Sequence, residues 1–324
     1  MNRRSFFAGA AACAVRNAFP QSGAIPIIDT HIHLYDTSRP LGAPYPSVQK
    51  GPSKTGALPQ RPISLPSTYR TIAPQLGIVG AIVVEASPWI EDNLWVLEQC
   101  QQDTIMVGAI GNLEPDKPDF GQFIARYHRI PLFRGIRYGN LWGRNLAAML
   151  SKDEFIAGLK LMSQAGLVLD TANPDPALLD AVIRLTDKVP GLRVVVDHLP
   201  QLDPPTEPAR RSAYEGNLRE LAKRPQVYIK VSEVIRRVDG RVPTDPNFYK
   251  PRLDQIFDIF GEDHLIFGSD WPNSDQWGTL ETVVSLVRPY FMNKGRAVAE
   301  KYFWKNSVAA YHWIKREPAQ PQLA

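Results

Sequence analysis

Apolar and polar positions follow two alternating rhythms along this chain. Short runs rich in Val and Ile, apolar at nearly every position, are followed by longer stretches with apolar residues every three or four positions. The first rhythm marks strands buried on both faces and the second amphipathic helices. Strands are read at 27–33, 79–85, 105–110, 132–138, 167–170, 192–198, 227–232 and 265–270. Helices are read at 67–76, 88–102, 116–128, 151–164, 175–188, 210–224, 249–260 and 279–292, with 296–314 closing the chain. Ser151 followed by Glu154 predicts a capping box at the start of its helix. Eight strand–helix units predict an α/β fold of the (β/α)8 TIM-barrel type over residues 25–324. A doubly wound open sheet is the alternative, but no glycine-rich phosphate turn follows the first strand. Residues 34–66, crowded with Pro, Gly and Ser, predict a long loop lying as a flap over the end of that strand.

The N-terminus stands apart. Arg3-Arg4 precede an apolar run from Phe6 to Val15, the pattern of a twin-arginine export signal over residues 1–24. It implies a periplasmic or otherwise exported protein. The run is too short for a membrane span, and no other segment is a candidate. Cys13 lies within this segment, so its removal leaves Cys100 alone and no internal disulfide. A hydrophobic content of 44% supports a large core, and a net charge of +4 without a basic block gives no reason to expect nucleic acid. The partner expected is a small molecule. The oligomeric state stays open, a homo-oligomer included.

Chemistry gathers at the strand ends, where such barrels carry their active sites. The first strand ends in His31 and His33, two residues apart and so on one face. The second ends in Glu85, the fourth in Arg137 and Tyr138, the fifth in Asp170 and the sixth in Asp197 and His198. The seventh ends in Lys230 and Ser232, and the eighth in Asp270. Strands that all finish in ionisable groups point to a shared receptor for that charge, either ligand or solvent.

Asp29-Thr30-His31-Ile32-His33, Arg134-Gly135-Ile136-Arg137, Asp197-His198-Leu199 and Phe267-Gly268-Ser269-Asp270-Trp271-Pro272 occur in that order. Together they resemble the amidohydrolase superfamily, and more closely its amidohydrolase-related branch of sugar-acid and pyrone lactonases and related decarboxylases. The resemblance implies a distorted (β/α)8 barrel and hydrolysis by an activated water. It makes His31, His33, His198 and Asp270 the catalytic and metal-ligating candidates, and Arg137 the binder of a substrate carboxylate or hydroxyl. The superfamily's two-metal pattern is incomplete, because Arg137 and Asp170 stand where its bridging and histidine ligands are needed. One divalent ion, zinc by its N/O donors, fits His31, His33, His198 and Asp270. Metal-free catalysis by the same histidines is equally compatible.

The reaction these residues suit is lactone hydrolysis. Asp270 is the candidate general base, the histidines or their ion stabilise the oxyanion, and Arg137 with Lys230 or Tyr138 anchors an anionic or polyhydroxyl lactone. A salt bridge from Arg137 to Glu85 or Asp170 is the competing role for that arginine. Trp271 and Trp277 are candidate apolar walls, or simply packed side chains. Decarboxylation of an aromatic or muconate-type acid, and non-catalytic capture of a sugar acid, are the alternative functions.

Overall fold

The computed structural model describes residues 23–39 and 63–323. The expected export segment and most of the expected flap lie outside the described residues. One parallel sheet runs in sequence order through β1 (Ile27–Ile32), β2 (Ile78–Val84), β3 (Met106–Gly111), β4 (Phe133–Arg137), β5 (Val168–Asp170), β6 (Arg193–Val196), β7 (Val227–Val231) and β8 (Leu265–Phe267). It closes into a (β/α)8 barrel through the residues just past β8. Asp270 donates its N–H to the His31 carbonyl and His33 donates to the Trp271 carbonyl, each at 2.8 Å. Asp29 fastens the same seam: its Oδ1 accepts the Ser269 N–H at 2.8 Å and its Oδ2 accepts the Tyr69 hydroxyl at 2.7 Å. The aspartate of the Asp-Thr-His-x-His motif therefore joins the first strand to the last.

Helices cover the outside. Several start on an acidic cap followed by proline, which lacks the N–H that a first turn cannot satisfy. Asp175 accepts from the Leu178 N–H ahead of Pro176–Lys188, and Asp245 from the Asn247 N–H ahead of Pro246–Phe260. The capping box expected at Ser151 does not form. The helix there is Asp153–Gln164 with Lys152 at its cap, and Ser151 Oγ donates to the Ala148 carbonyl at 3.1 Å. A preceding helical turn, Leu146–Met149 with Leu150 at its C-cap, engages that hydroxyl through the Ala148 carbonyl. The closing helix expected at 296–314 is continuous from Arg296 to Tyr311 but carries a π-helical turn. It runs as Arg296–Glu300, a π-helical turn Lys301–Lys305, and Asn306–Tyr311, ending where His312 turns left-handed.

Strand alternation divides the core in two. Ala81, Val83, Val194, Val196, Ile229 and Val231 face outward to the helices. Ile28, Ile82, Val107, Val168, Val195, Tyr228 and Ile266 fill the barrel interior, together with Trp304, Tyr311 and Trp313 from the end of the chain. That final segment lies across the strand starts, since Arg193 donates to the Ala310 carbonyl and Arg134 to the His312 carbonyl. Each aliphatic side chain so buried contributes about 1.5–3 kcal/mol. The interior is thus sealed at one end, and function is left to the other. No helix among the described residues is long and apolar enough to cross a membrane.

Candidate active site

A register irregularity between Asp29 and Ile32 shifts the side-chain parity of β1. Ile28 faces the interior three residues before His31 does, and His33 follows on the same face. Alternation in β7 and β8 brings Lys230 and Ser232, then Gly268 and Asp270, to that level. Gly268 is required there: a Cβ at this position would lie 2.9 Å from the His31 Cβ and 3.1 Å from Lys230 Cγ and Cδ.

Three layers result. Lowest is a buried charge cluster. Lys230 Nζ lies 2.8 Å from Asp170 Oδ2, 2.8 Å from Asp197 Oδ1 and 3.1 Å from His31 Nδ1, with no side-chain exposure. Tyr311, reaching up from the sealed end, donates to Asp170 Oδ2 at 2.9 Å. Burial pushes the Asp197 carboxyl up to about 7 despite the neighbouring lysine.

The middle layer holds the imidazoles. Burial, with the positive charge of nearby Lys230, holds His31 well below its ordinary range. Burial and then Arg137 bring His33 to about 3. His198 is likewise held low, by burial and then Lys230. All three are neutral at pH 7, as metal ligation or acceptance of a hydrogen bond requires. The tautomer of His33 follows from its partner. His33 Nδ1 lies 2.9 Å from the Val84 carbonyl, which only accepts, so that nitrogen carries the proton. His33 Nε2 then presents a lone pair to Asp270 Oδ1 at 3.0 Å. His31 Nδ1 lies 3.1 Å from Lys230 Nζ and 3.5 Å from Asp197 Oδ2, and its Nε2 lies 3.2 Å from His33 Nε2. His198 Nδ1 pairs with Ser232 Oγ at 2.8 Å.

The upper layer is a cavity of about 140 Å3 lined by His33, Arg137, Trp142, Asn173, His198, Glu233, Asp270 and Asn273, among others. Asp270 lies at its base. Burial lifts its carboxyl to about 7, and Glu233 shares a side-chain hydrogen bond with it. Non-glycine residues with positive φ concentrate here. Trp142, Asn173, His198, Glu233 and Asp270 all line the cavity, whereas Asp239 and His312 do not. Backbone held in this sparsely populated region persists only where the surrounding fold enforces it.

A lone pair facing a carboxylate oxygen at 3.0 Å is repulsive unless a proton or a cation lies between them. His31, His198 and Asp270 each offer a ligand atom within 4.8 Å of the others, and all three are buried. Two neutral imidazoles and a carboxylate form a donor set that accepts a divalent metal ion.

A family model described as Amidohydrolase matches residues 28–313. The chain belongs to the amidohydrolase family. An L-fucono-1,5-lactonase of Burkholderia ambifaria is 29% identical over 261 residues, 76% of this chain and 80% of that protein. An L-fucono-1,5-lactonase of Burkholderia multivorans is 24% identical over 304 residues, 91% and 98% of the two chains. Among solved structures, an amidohydrolase from Burkholderia multivorans with bound zinc superposes with a TM-score of 0.74, covering 89% of this chain and all of that one at 20% identity. A probable 2-pyrone-4,6-dicarboxylic acid hydrolase from Acinetobacter baumannii gives 0.66 at 20% identity, over 88% and 99% of the chains. At that level of identity these structures show the shared fold.

In this amidohydrolase, His31, His33, His198 and Asp270 converge at one place. Arg137 reaches the cavity, but it also makes the ion pair named above as its competing role. Its Nε donates to Glu85 Oε1 at 2.9 Å and its Nη2 to the Glu85 carbonyl at 2.7 Å. Other expected substrate-binding residues stand elsewhere. Lys230 is sealed beneath His31. Tyr138 is turned outward by the alternation that turns Arg137 inward, and packs 4.9 Å from the Phe155 ring. Trp277 lies against Arg237, 5.9 Å from ring centre to guanidinium carbon, and is not part of the cavity wall. Trp271 is fully buried with its ring 5.1 Å from Tyr69. Glu233, Trp142, Asn173 and Asn273 line the cavity without standing out in the sequence. Glu233 follows Ser232 directly, so extending each strand end by one residue finds it, whereas Trp142 carries no such signal.

Proposed function

We propose that this amidohydrolase hydrolyses a sugar-acid 1,5-lactone. The observation that carries the reading is the contact of the Asp270 carboxylate with a neutral, lone-pair-bearing His33 imidazole at the floor of a small cavity. Asp270, with a carboxyl near 7, is matched to exchanging protons at neutral pH. It takes a proton from water as the water oxygen attacks the lactone carbonyl carbon. The ring C–O bond then breaks, and the proton passes from Asp270 to the departing alkoxide, leaving the open hydroxy acid. Arg137 lines the cavity where it can orient the ring, and Glu85 fixes the guanidinium plane. A cavity of 140 Å3 is below the ~300–1,000 Å3 of pockets for drug-sized ligands and suits a single ring.

The donor set of His31, His198 and Asp270, with His33 alongside, fits zinc. A divalent ion held there supplies Lewis acidity toward water and carbonyl. The lactonase relatives support the choice of bond, and the zinc-containing structural neighbour supports the choice of metal. The twin arginines further support export, which replacement of Arg3-Arg4 by lysines tests by following the mature protein between cell fractions.

The deciding assay is acid release from L-fucono-1,5-lactone and related aldonolactones, corrected for spontaneous opening, against 2-pyrone-4,6-dicarboxylate. Catalysed opening of the sugar lactones supports the proposal. Inactivity on every lactone refutes it.

A further inference from the structure

The geometry points to Glu85 as a specificity-determining residue that makes the site select neutral, polyhydroxyl lactones over carboxylated ones. The inference rests on the lactonase reading and narrows its substrate class. Among the described residues lining the cavity, the ionisable side chains besides the histidines are Arg137, Glu233 and Asp270. Arg137 is the single cation of the three, and its charge is already met. Glu85 takes its Nε at 2.9 Å and, through the main-chain carbonyl, its Nη2 at 2.7 Å. Asp197 Oδ2 stands 3.9 Å from its remaining Nη1.

Glu85 is itself held for this task. Its Oε2 accepts the Ser87 N–H at 3.0 Å and the Trp142 indole N–H at 3.1 Å. Both oxygens are therefore occupied by donors, and the pair is buried on both sides, at 6% and 5% side-chain exposure. The second buried cation in the barrel, Lys230, is spent on Asp170 and Asp197 beneath His31. A divalent ion at His31, His198 and Asp270 would act on the lactone carbonyl of either substrate, so it does not discriminate; the extra carboxylate of a carboxylated substrate meets Glu233 and Asp270 with no side-chain cation left unpaired among the described cavity residues. Its charge is desolvated and unpaired, a standard means of rejecting one ligand in favour of another. A neutral polyol meets the Asn173 and Asn273 amides instead.

The test uses matched pairs on the full-length protein: an aldono-1,5-lactone and the aldaro-1,5-lactone of the same configuration, differing in hydroxymethyl against carboxylate. The corresponding lactams, whose amide bond opens far more slowly than an ester, report binding once they are shown to survive the assay intact. The wild type is expected to favour the neutral lactone in kcat/KM, and the neutral lactam in Kd, by about 100-fold. Glu85→Gln keeps the side-chain shape, removes the charge, and is expected to lower both ratios by about 10-fold or more. A merely structural role would slow both substrates alike and leave the ratios unchanged. A wild type that takes the carboxylated members as well as the neutral ones overturns the inference, as does a Glu85→Gln protein with unaltered ratios. The wild-type ratios need no variant and decide even if Glu85→Gln fails to fold. Neutral-lactam preference without any lactone turnover upholds this inference while refuting hydrolysis.

Discussion

Nε2 of His33 and Oδ1 of Asp270 face each other at 3.0 Å, two acceptors with nothing between them but a proton or a cation. Which of the two occupies the gap decides how the enzyme works. Dialysis against a chelator is expected to abolish activity, and added zinc to restore it. Elemental analysis should give about one ion per chain, falling severalfold in His198→Ala and His31→Ala. Full activity in chelated, metal-free protein would assign the gap to a proton.

Replacing Asp270 by asparagine removes the exchangeable proton and keeps the shape. Turnover of the lactone is expected to fall by about 10²-fold or more. Circular dichroism should keep the wild-type form, because the Asp270 main chain, not its carboxylate, closes the barrel. Near-normal turnover in Asp270→Asn removes the base from this position.

The pH dependence of stability separates the same carboxyl from its neighbours. In metal-free protein the Asp270 carboxyl sits near 7 against 3.8 for an ordinary aspartate. A raised folded-state value contributes stability that is complete below about pH 4 and lost as pH rises through about 7. The depressed imidazoles act with the opposite sign, losing stability as pH falls below 6.5. The net curve mixes both, so the useful quantity is the difference between wild type and Asp270→Asn. The melting temperature of wild type minus that of the variant should fall steadily between pH 4 and pH 7 and flatten above. A flat difference across that window contradicts the raised carboxyl.

Lys230→Met tests the layer beneath. It leaves Asp170 and Asp197 buried with their cation gone, a loss of about 3–5 kcal/mol in urea unfolding. Adding Asp197→Asn to that variant should recover part of the loss, since it removes one stranded charge. A Lys230→Met protein as stable as wild type would mean the cluster contributes nothing net.

The strand–helix rhythm carries the barrel because β-branched runs leave few other arrangements; spacing puts His31 and His33 on one face, whereas the joining of His198 to them follows from its strand end and from the family resemblance. Parity already separates Arg137 from Tyr138, so the outward turn of Tyr138 was readable in principle. The depth of Lys230 was not. A strand position says which face a side chain takes, whereas its distance from the cavity depends on barrel tilt and on Tyr311 rising from below. Glu85 shows the same limit: its place at a strand end is plain, and its grip on Arg137 depends on how far apart β2 and β4 hold the two residues. The failed capping box at Ser151 has a local cause, because an unforeseen helical turn at Leu146–Met149 competes for the same hydroxyl.

Tyr311 and Trp313 close the interior from the strand starts, which places a temporal condition on assembly. On a translating ribosome, the barrel remains open at its base until residues 304–313, which follow all eight strands, emerge. Until then Asp170 lacks its hydroxyl donor, and the apolar lining of the strands stays wet. Full closure is therefore a late event for this chain, and a nascent protein stalled before Tyr311 should be far more vulnerable to proteases than a finished one.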